Sequence, residues 1–318
     1  MMTPLKESEV DCFMKKFLSL VLSLALALSL CAVASAERTL TLVAPAGAPA
    51  LSVATLAAEK PDSYTFVAAD TIAAAFAANE ADFVIAPVNA GAKLFKAGKS
   101  TYRLAAVISW GNLYIAAQKP ELKAEDLNGQ KITLFGEDTI NASVVLYALK
   151  ENGIEPAEVA YLAGAADTQS LLLSDAEAIV VTAEPALTAA SMKNDQIGAV
   201  AVNDLLKQAT GDDGYVQAGL FVKAETLEQD ADAVKACLDL IAGSAARCTE
   251  DPEAVAEAAV TLEILPNAKV ALKAIPGCAI RFVPAAEARE RVEKTAAIDL
   301  KQFGGELPAD DFYYAEAK

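Results

Sequence analysis

From residue 39 onward, short apolar runs alternate with stretches whose apolar residues recur every three or four positions, the marks of buried strands and of helices packed on them. Residues 39–44 predict a strand. Residues 45–49 break it, and Pro49 suits the first turn of a helix through residue 58, where its missing N–H would have no partner anyway. Residues 64–68 predict the next strand, with Asp70 as the cap of a helix over 71–78. An apolar run over 83–86 is stopped by Pro87, and a helical pattern over 90–96 follows the turn at 87–89. Residues 104–108 predict a strand buried on both faces, and 113–117 a further apolar run. Strand, helix, strand, helix, strand is the alternation of a parallel α/β sheet.

A second block repeats the pattern. Residues 131–135 predict a strand. A helix follows on which Ile140, Val144 and Ala148 share a face, with Thr139 or Asp138 as its cap and Gly153 as its stop. Residues 176–181 predict a buried strand, and Glu184-Pro185 opens the next helix. Gly211-Asp212-Asp213-Gly214 is a turn ahead of a strand over 216–222. Beyond Glu225 the pattern is helical, broken by Pro252, Pro266 and Pro276, with a last helix from Pro284 to near Phe303. Chain crossings near 113–117 and 215–219 predict a two-strand hinge. It joins one lobe of residues 37–113 plus 218–318 to a second lobe of 114–217, and each lobe is expected to be a mostly parallel sheet flanked by helices.

The first 36 residues stand apart. Met14-Lys15-Lys16 followed by an apolar core over 17–30 and Ala34-Ser35-Ala36 has the form of an export signal, with translation starting at Met14 and a mature chain starting at Glu37. Two alternatives remain: an uncleaved anchor, and lipidation at Cys31 after Leu28-Ser29-Leu30, where Leu30 is bulkier than that signal prefers. Either way the expected location is extracytoplasmic, in a periplasm or at a cell surface.

Composition narrows the chemistry. The 318-residue chain carries a net charge of -17, and the leader does not alter it, since Lys6, Lys15 and Lys16 offset Glu7, Glu9 and Asp11. Such a surface repels nucleic-acid phosphates and anionic lipid. No histidine occurs, which removes Ser-His and Cys-His catalysis and most zinc sites; no metal or cofactor is expected. Cys237 and Cys248 lie on one expected helix, about 16 Å apart by its rise, too far for a disulfide. A bridge from Cys248 to Cys278 and buried free thiols both remain open.

Two pieces of the chain carry a resemblance: Ala81-Asp82-Phe83-Val84-Ile85-Ala86-Pro87 and Trp110-Gly111-Asn112-Leu113-Tyr114. Behind an export signal and in this order, they resemble the solute-binding proteins of ABC importers in the nitrate, sulfonate, taurine and thiamine-precursor group. The segment 153–162 and the tail 305–314 extend the likeness. The resemblance implies a two-lobed periplasmic-binding-protein-like α/β fold of type II. It also implies a non-enzymatic monomer that captures a small-molecule ligand and presents it to an ABC transporter membrane permease. The loops holding Gly47-Ala48, Asp70-Thr71 and Pro87-Val88-Asn89 would then form one wall of the ligand site. Trp110, Gly111, Asn112, Thr139 and Glu184 complete the candidates. Each has a plainer reading: cap, turn, core tryptophan or, for Glu184, a complement to the helix dipole. Glu137 and Asp138 beside Thr139 work against an anionic ligand, and no arginine stands at a predicted strand end, so a neutral or zwitterionic solute is expected. An enzyme on the same fold, as in some menaquinone-pathway enzymes, and a sensor or partner-binding protein are the competing classes.

Overall fold

The structure, a computed structural model, describes residues 39–315. The export signal, the start at Met14, the cleavage after Ala36 and the lipidation at Cys31 all fall outside the described residues.

Strand β1 (Leu42–Pro45) leads through a 3-10 turn (Ala48–Val53) into α1 (Ala54–Glu59); β2 (Tyr64–Val67), α2 (Ile72–Ala78), β3 (Phe83–Pro87), α3 (Val88–Lys96) and β4 (Tyr102–Ser109) follow. Residues 110–112 cross to β5 (Leu113–Ala117), β6 (Lys131–Phe135), α4 (Ile140–Glu151), β7 (Glu158–Leu162) and α5 (Ala165–Ser174). Then come β8 (Ile179–Ala183), α6 (Ala186–Ser191), β9 (Gly198–Ala201) and α7 (Val202–Thr210). Residues 211–217 return to β10 (Ala218–Lys223), α8 (Ala224–Gln229), the long α9 (Ala231–Glu250), α10 (Pro252–Thr261), α11 (Ala268–Ala274), β11 (Ile280–Pro284) and α12 (Ala285–Ile298).

Two sheets result, ordered β11-β4-β10-β3-β1-β2 and β7-β6-β8-β5-β9. The fold is mixed α/β and two-lobed, with helices flanking both sheets. The sheets are mixed rather than mostly parallel: β1 runs parallel to β2 and β3, and β6 to β7 and β8, while the other five pairings are antiparallel. The crossings account for this. β10 enters the first sheet at the edge where β3 and β4 leave it, so it must run against both; β5 does the same between β8 and β9.

Central strands are sealed because their sequences are apolar on both faces. Phe83 to Ala86 and Leu104 to Ile108 are all buried, and Phe76, Tyr102 and Phe221 pack edge-on behind them. Buried Asp82 at the head of β3 accepts from Thr41 N and Oγ1 and from Thr226 Oγ1, tying three segments together. The closing tail lies on this body: Tyr314 N donates to Leu104 O, and the Phe312 ring is fully buried.

Three details correct the sequence expectation. Ile280–Pro284 is a strand where helix was expected. Asp70 makes no capping bond; a 3-10 turn over Ala69–Thr71 starts α2, and Thr71 Oγ1 donates back to Ala68 O. Pro49 sits in a 3-10 turn that precedes α1 rather than in the α-helix itself. Thr139, of the two caps considered, is the one used, accepting from Ala142 N. All three described cysteines are free, with Cys248 and Cys278 buried.

Candidate functional site

The registers place the strand ends. Pro87, Ser109 and Ile280 align with Ala218 at one edge of the first sheet, and Leu113 meets Ala183 at one edge of the second. The carboxyl ends of β3, β4, β6 and β8 therefore all point toward the crossings, the position at which open α/β sheets bind ligands.

Gln217, on the return crossing, is the knot of this region. Its backbone N donates to Ser109 O and its carbonyl accepts from Val88 N, the first N–H of α3. Ser109 Oγ donates to Gln217 Oε1 at 3.0 Å, and Gln217 Nε2 donates to Asn112 Oδ1 at 2.9 Å. Asn112 Nδ2 in turn donates to Glu184 O at 2.8 Å, while Glu184 N donates to Asn112 O at 3.0 Å. One hydrogen-bonded chain thus joins the start of α3, both crossings and the end of β8. None of its groups is lysine or arginine.

Glu184 is buried, with Thr188 Oγ1 donating to Oε1 at 2.8 Å and Thr188 N to Oε2 at 3.1 Å. Burial pushes its carboxyl pKa up, against the lowering effect of those two bonds. Tyr114 stands beside it and donates to Gly277 O across the gap between the lobes; burial first, then the Glu184 charge, pushes its hydroxyl up to about 12. A Cβ on Gly277 would stand 2.8 Å from Tyr114 Oη and 2.9 Å from Glu184 Cγ, so only glycine admits this approach. The Glu184–Pro185 peptide is cis.

Of the sequence candidates, Pro87, Asn112 and Glu184 belong to this constellation. Asn89 sits in the first turn of α3, with its Oδ1 buried and without a hydrogen-bond partner. Gly111 has φ +86° and packs under Tyr215 and Asn203, with no room for a side chain. Gly47 and Ala48 follow the carboxyl end of β1, and Gly47 has φ +116° with open space at its Cβ position. Thr139 caps α4 just past β6; Asp70 and Thr71 are exposed beyond β2.

Trp110 goes elsewhere. Only 3% exposed, its Nε1 donates to Arg281 O at 2.8 Å, and the Arg281 and Arg291 guanidinium carbons lie 4.5 and 5.6 Å from its ring centroid. It borders a cavity of about 240 Å³, shared with Asp213, Ile275 and Arg281, that holds none of the other candidates. Asp213 binds both arginines, and Arg281 foremost holds its carboxyl pKa down at about 2. The indole is thus part of the packing that fixes the crossings to the first lobe.

Sequence reasoning missed Gln217, Ser109, Tyr114 and Gly277. Gln217 carried one signal, a lone polar residue opening a buried strand; the partners that give it meaning come from distant segments.

The family model described as NMT1/THI5 like matches residues 71–255. No curated protein sequence matches the chain. Among solved structures, an ABC transporter protein from Parabacteroides distasonis superposes with a TM-score of 0.75 at 22% identity, over 88% of this chain and all of that one. The periplasmic aliphatic sulphonate binding protein SsuA of Escherichia coli gives 0.67 at 14% identity, over 88% and 92%. The alkanesulfonate-binding SsuA of Xanthomonas axonopodis pv. citri, bound to MOPS, gives 0.63 at 13%, over 87% and 99%. At these identities the structures establish the fold, which is that of periplasmic binding proteins.

Proposed function

Because the chain belongs to the NMT1/THI5-like family, we propose that it is the extracytoplasmic solute-binding component of an ABC import system. The lobes are residues 37–113 plus 218–318 and residues 114–217. They close on a small organic solute, and the closed form is what the permease recognises. Closure is driven by the contacts a solute makes with both lobes only when they are shut. No catalytic step belongs to this function. The protein works as a monomer outside the cytoplasmic membrane, released by cleavage after Ala36 or tethered through Cys31.

The single observation that supports this most is the hydrogen-bonded chain from Val88 through Gln217 and Asn112 to Glu184, which links strand ends of both lobes at the hinge. Around it, among the described residues, Asn89 Oδ1 is an acceptor without a partner, and the Glu184 carboxylate has no cation bonded to it. Exposed Glu137 and Asp138 stand by the start of α4. Acceptors dominate, so the solute is neutral or zwitterionic and brings hydrogen-bond donors, in contrast to the sulfonates named for the two SsuA proteins. Gly47, Ala48, Pro87, Asn89, Thr139 and Glu184 face the solute, with Asp70 and Thr71 at the outer rim. Trp110, Gly111 and Asn112 hold the hinge that positions them.

Native mass spectrometry of the protein as purified, followed by thermal-shift measurements with the released compound, tests the proposal. A stoichiometric small molecule that raises Tm without being consumed supports it. Turnover would make the protein an enzyme, and the absence of any stabilising solute would make it a sensor or partner-binding protein. Asn89→Ala and Glu184→Gln should each weaken the shift.

A further inference from the structure

A second cavity, of about 330 Å³, opens behind the return crossing, apart from the hydrogen-bonded chain through Gln217, Asn112 and Glu184. Its walls come from three pieces of chain: Tyr147 on α4 and Leu206 on α7 from the second lobe, Asp212 and Tyr215 from the crossing, and Arg291, Lys294 and Ile298 on α12 from the first. Tyr147, Leu206, Tyr215 and Ile298 give it an apolar body, and its charged lining consists of two cations and one carboxylate. Its size falls in the range, about 300–1,000 Å³, of pockets that take small organic molecules.

We propose that this cavity is a second binding site, for a small aromatic or aliphatic acid. The acid's ring or chain lies on the apolar wall, and its carboxylate meets Lys294. That ammonium is half exposed and has three N–H donors for two carboxylate partners, Asp212 Oδ1 at 3.4 Å and Glu290 Oε1 at 3.1 Å. Arg291 already spends its guanidinium on Asp212, Asp213 and Gly214 O. Asp212, Asp213 and Glu290 balance the two cations, so what the cavity offers an anion is the third N–H of Lys294 rather than a positive field. A guest here touches both lobes and the crossing at once, so its affinity depends on the hinge angle, and by linkage its presence biases that angle.

The site stands or falls without reference to any imported solute. Isothermal titration of the full chain with 2-naphthoate, beside the neutral isostere 2-naphthalenemethanol, tests it. The acid should bind one to one, and the alcohol at least about tenfold more weakly, because it lacks the charge-assisted bond. Lys294→Met should weaken the acid by a similar factor. Ala297→Trp, an exposed position on the cavity wall, should abolish binding by filling the space while circular dichroism stays unchanged. Failure of the acid to bind at millimolar concentration, equal affinity for the alcohol, or binding that survives Ala297→Trp would each overturn the proposal.

Discussion

Glu184 carries an unusual electrostatic load for one residue, a buried carboxyl whose bonded partners among the described residues are only the backbone and hydroxyl of Thr188. Desolvation raises its pKa in the folded chain above the ordinary 4.5, so the folded state binds this proton more tightly than the unfolded state does. Ionisation of the group therefore costs stability above the raised value. That cost is recovered as pH falls through the raised value toward the unfolded one. Glu184→Gln, which keeps an oxygen for Thr188, should flatten this part of the curve of Tm against pH and raise Tm at pH 8. An unchanged curve would mean that the carboxyl already escapes its charge by another route. Trp110 shows the opposite case, a side chain whose value is mechanical. Its truncation to alanine should cost about 3–5 kcal/mol in a urea titration, as for other buried aromatics. Trp110→Phe, which loses mainly the bond to Arg281 O, should cost about 1 kcal/mol.

At the scale of elements, the fit of α3 against β10 sets how close helix and sheet can come. Gly91 lies over the Phe221 ring, and a Cβ there would stand 2.3 Å from Phe221 Cζ. Gly91→Ala should cost about 1–3 kcal/mol by overpacking, and Phe221→Leu in the same chain should return part of that. Lack of any recovery would mean that the backbone, not the ring, bears the clash. These elements also show what was legible in the sequence. The runs that became β3, β4, β5 and β8 were plain because strands sealed on both faces are apolar throughout. The edge strand β11 was not: Ile280-Arg281-Phe282-Val283 is short, bounded by Pro276 and Pro284, and held by β4 alone. Antiparallel pairings stayed hidden for a related reason, since they depend on where the chain returns rather than on local periodicity. Asn89, Asn112 and Glu184 could be singled out because the segments that hold them resemble those of a known family of binding proteins. Gln217 and Gly277 could not, because each matters only through a residue far away in sequence.

In the whole molecule, the lobes touch on both flanks of the hinge. On one side Tyr114 Oη donates to Gly277 O at 3.2 Å and α11 packs on α6. On the other, Ser143 Oγ donates to Asp299 Oδ2 and Gln302 Nε2 to Asp138 O, both at 2.7 Å. These bonds bridge the two lobes, so in the proposed clamp they favour a shut form over an open one. Each is worth about 1 kcal/mol net, and together they bias the open–shut equilibrium by roughly tenfold or more. In the proposed clamp these bonds form a latch, which must be weak enough to open for a solute to enter. Removing it with Ser143→Ala and Gln302→Ala should raise the small-angle scattering radius of the empty protein toward that of a spread pair of lobes. Saturating solute should restore the compact value, at an affinity about tenfold lower, because solute contacts must then supply what the latch supplied. A radius that stays the same in the double variant, with unchanged affinity, would mean that the two crossings alone hold the lobes at this angle.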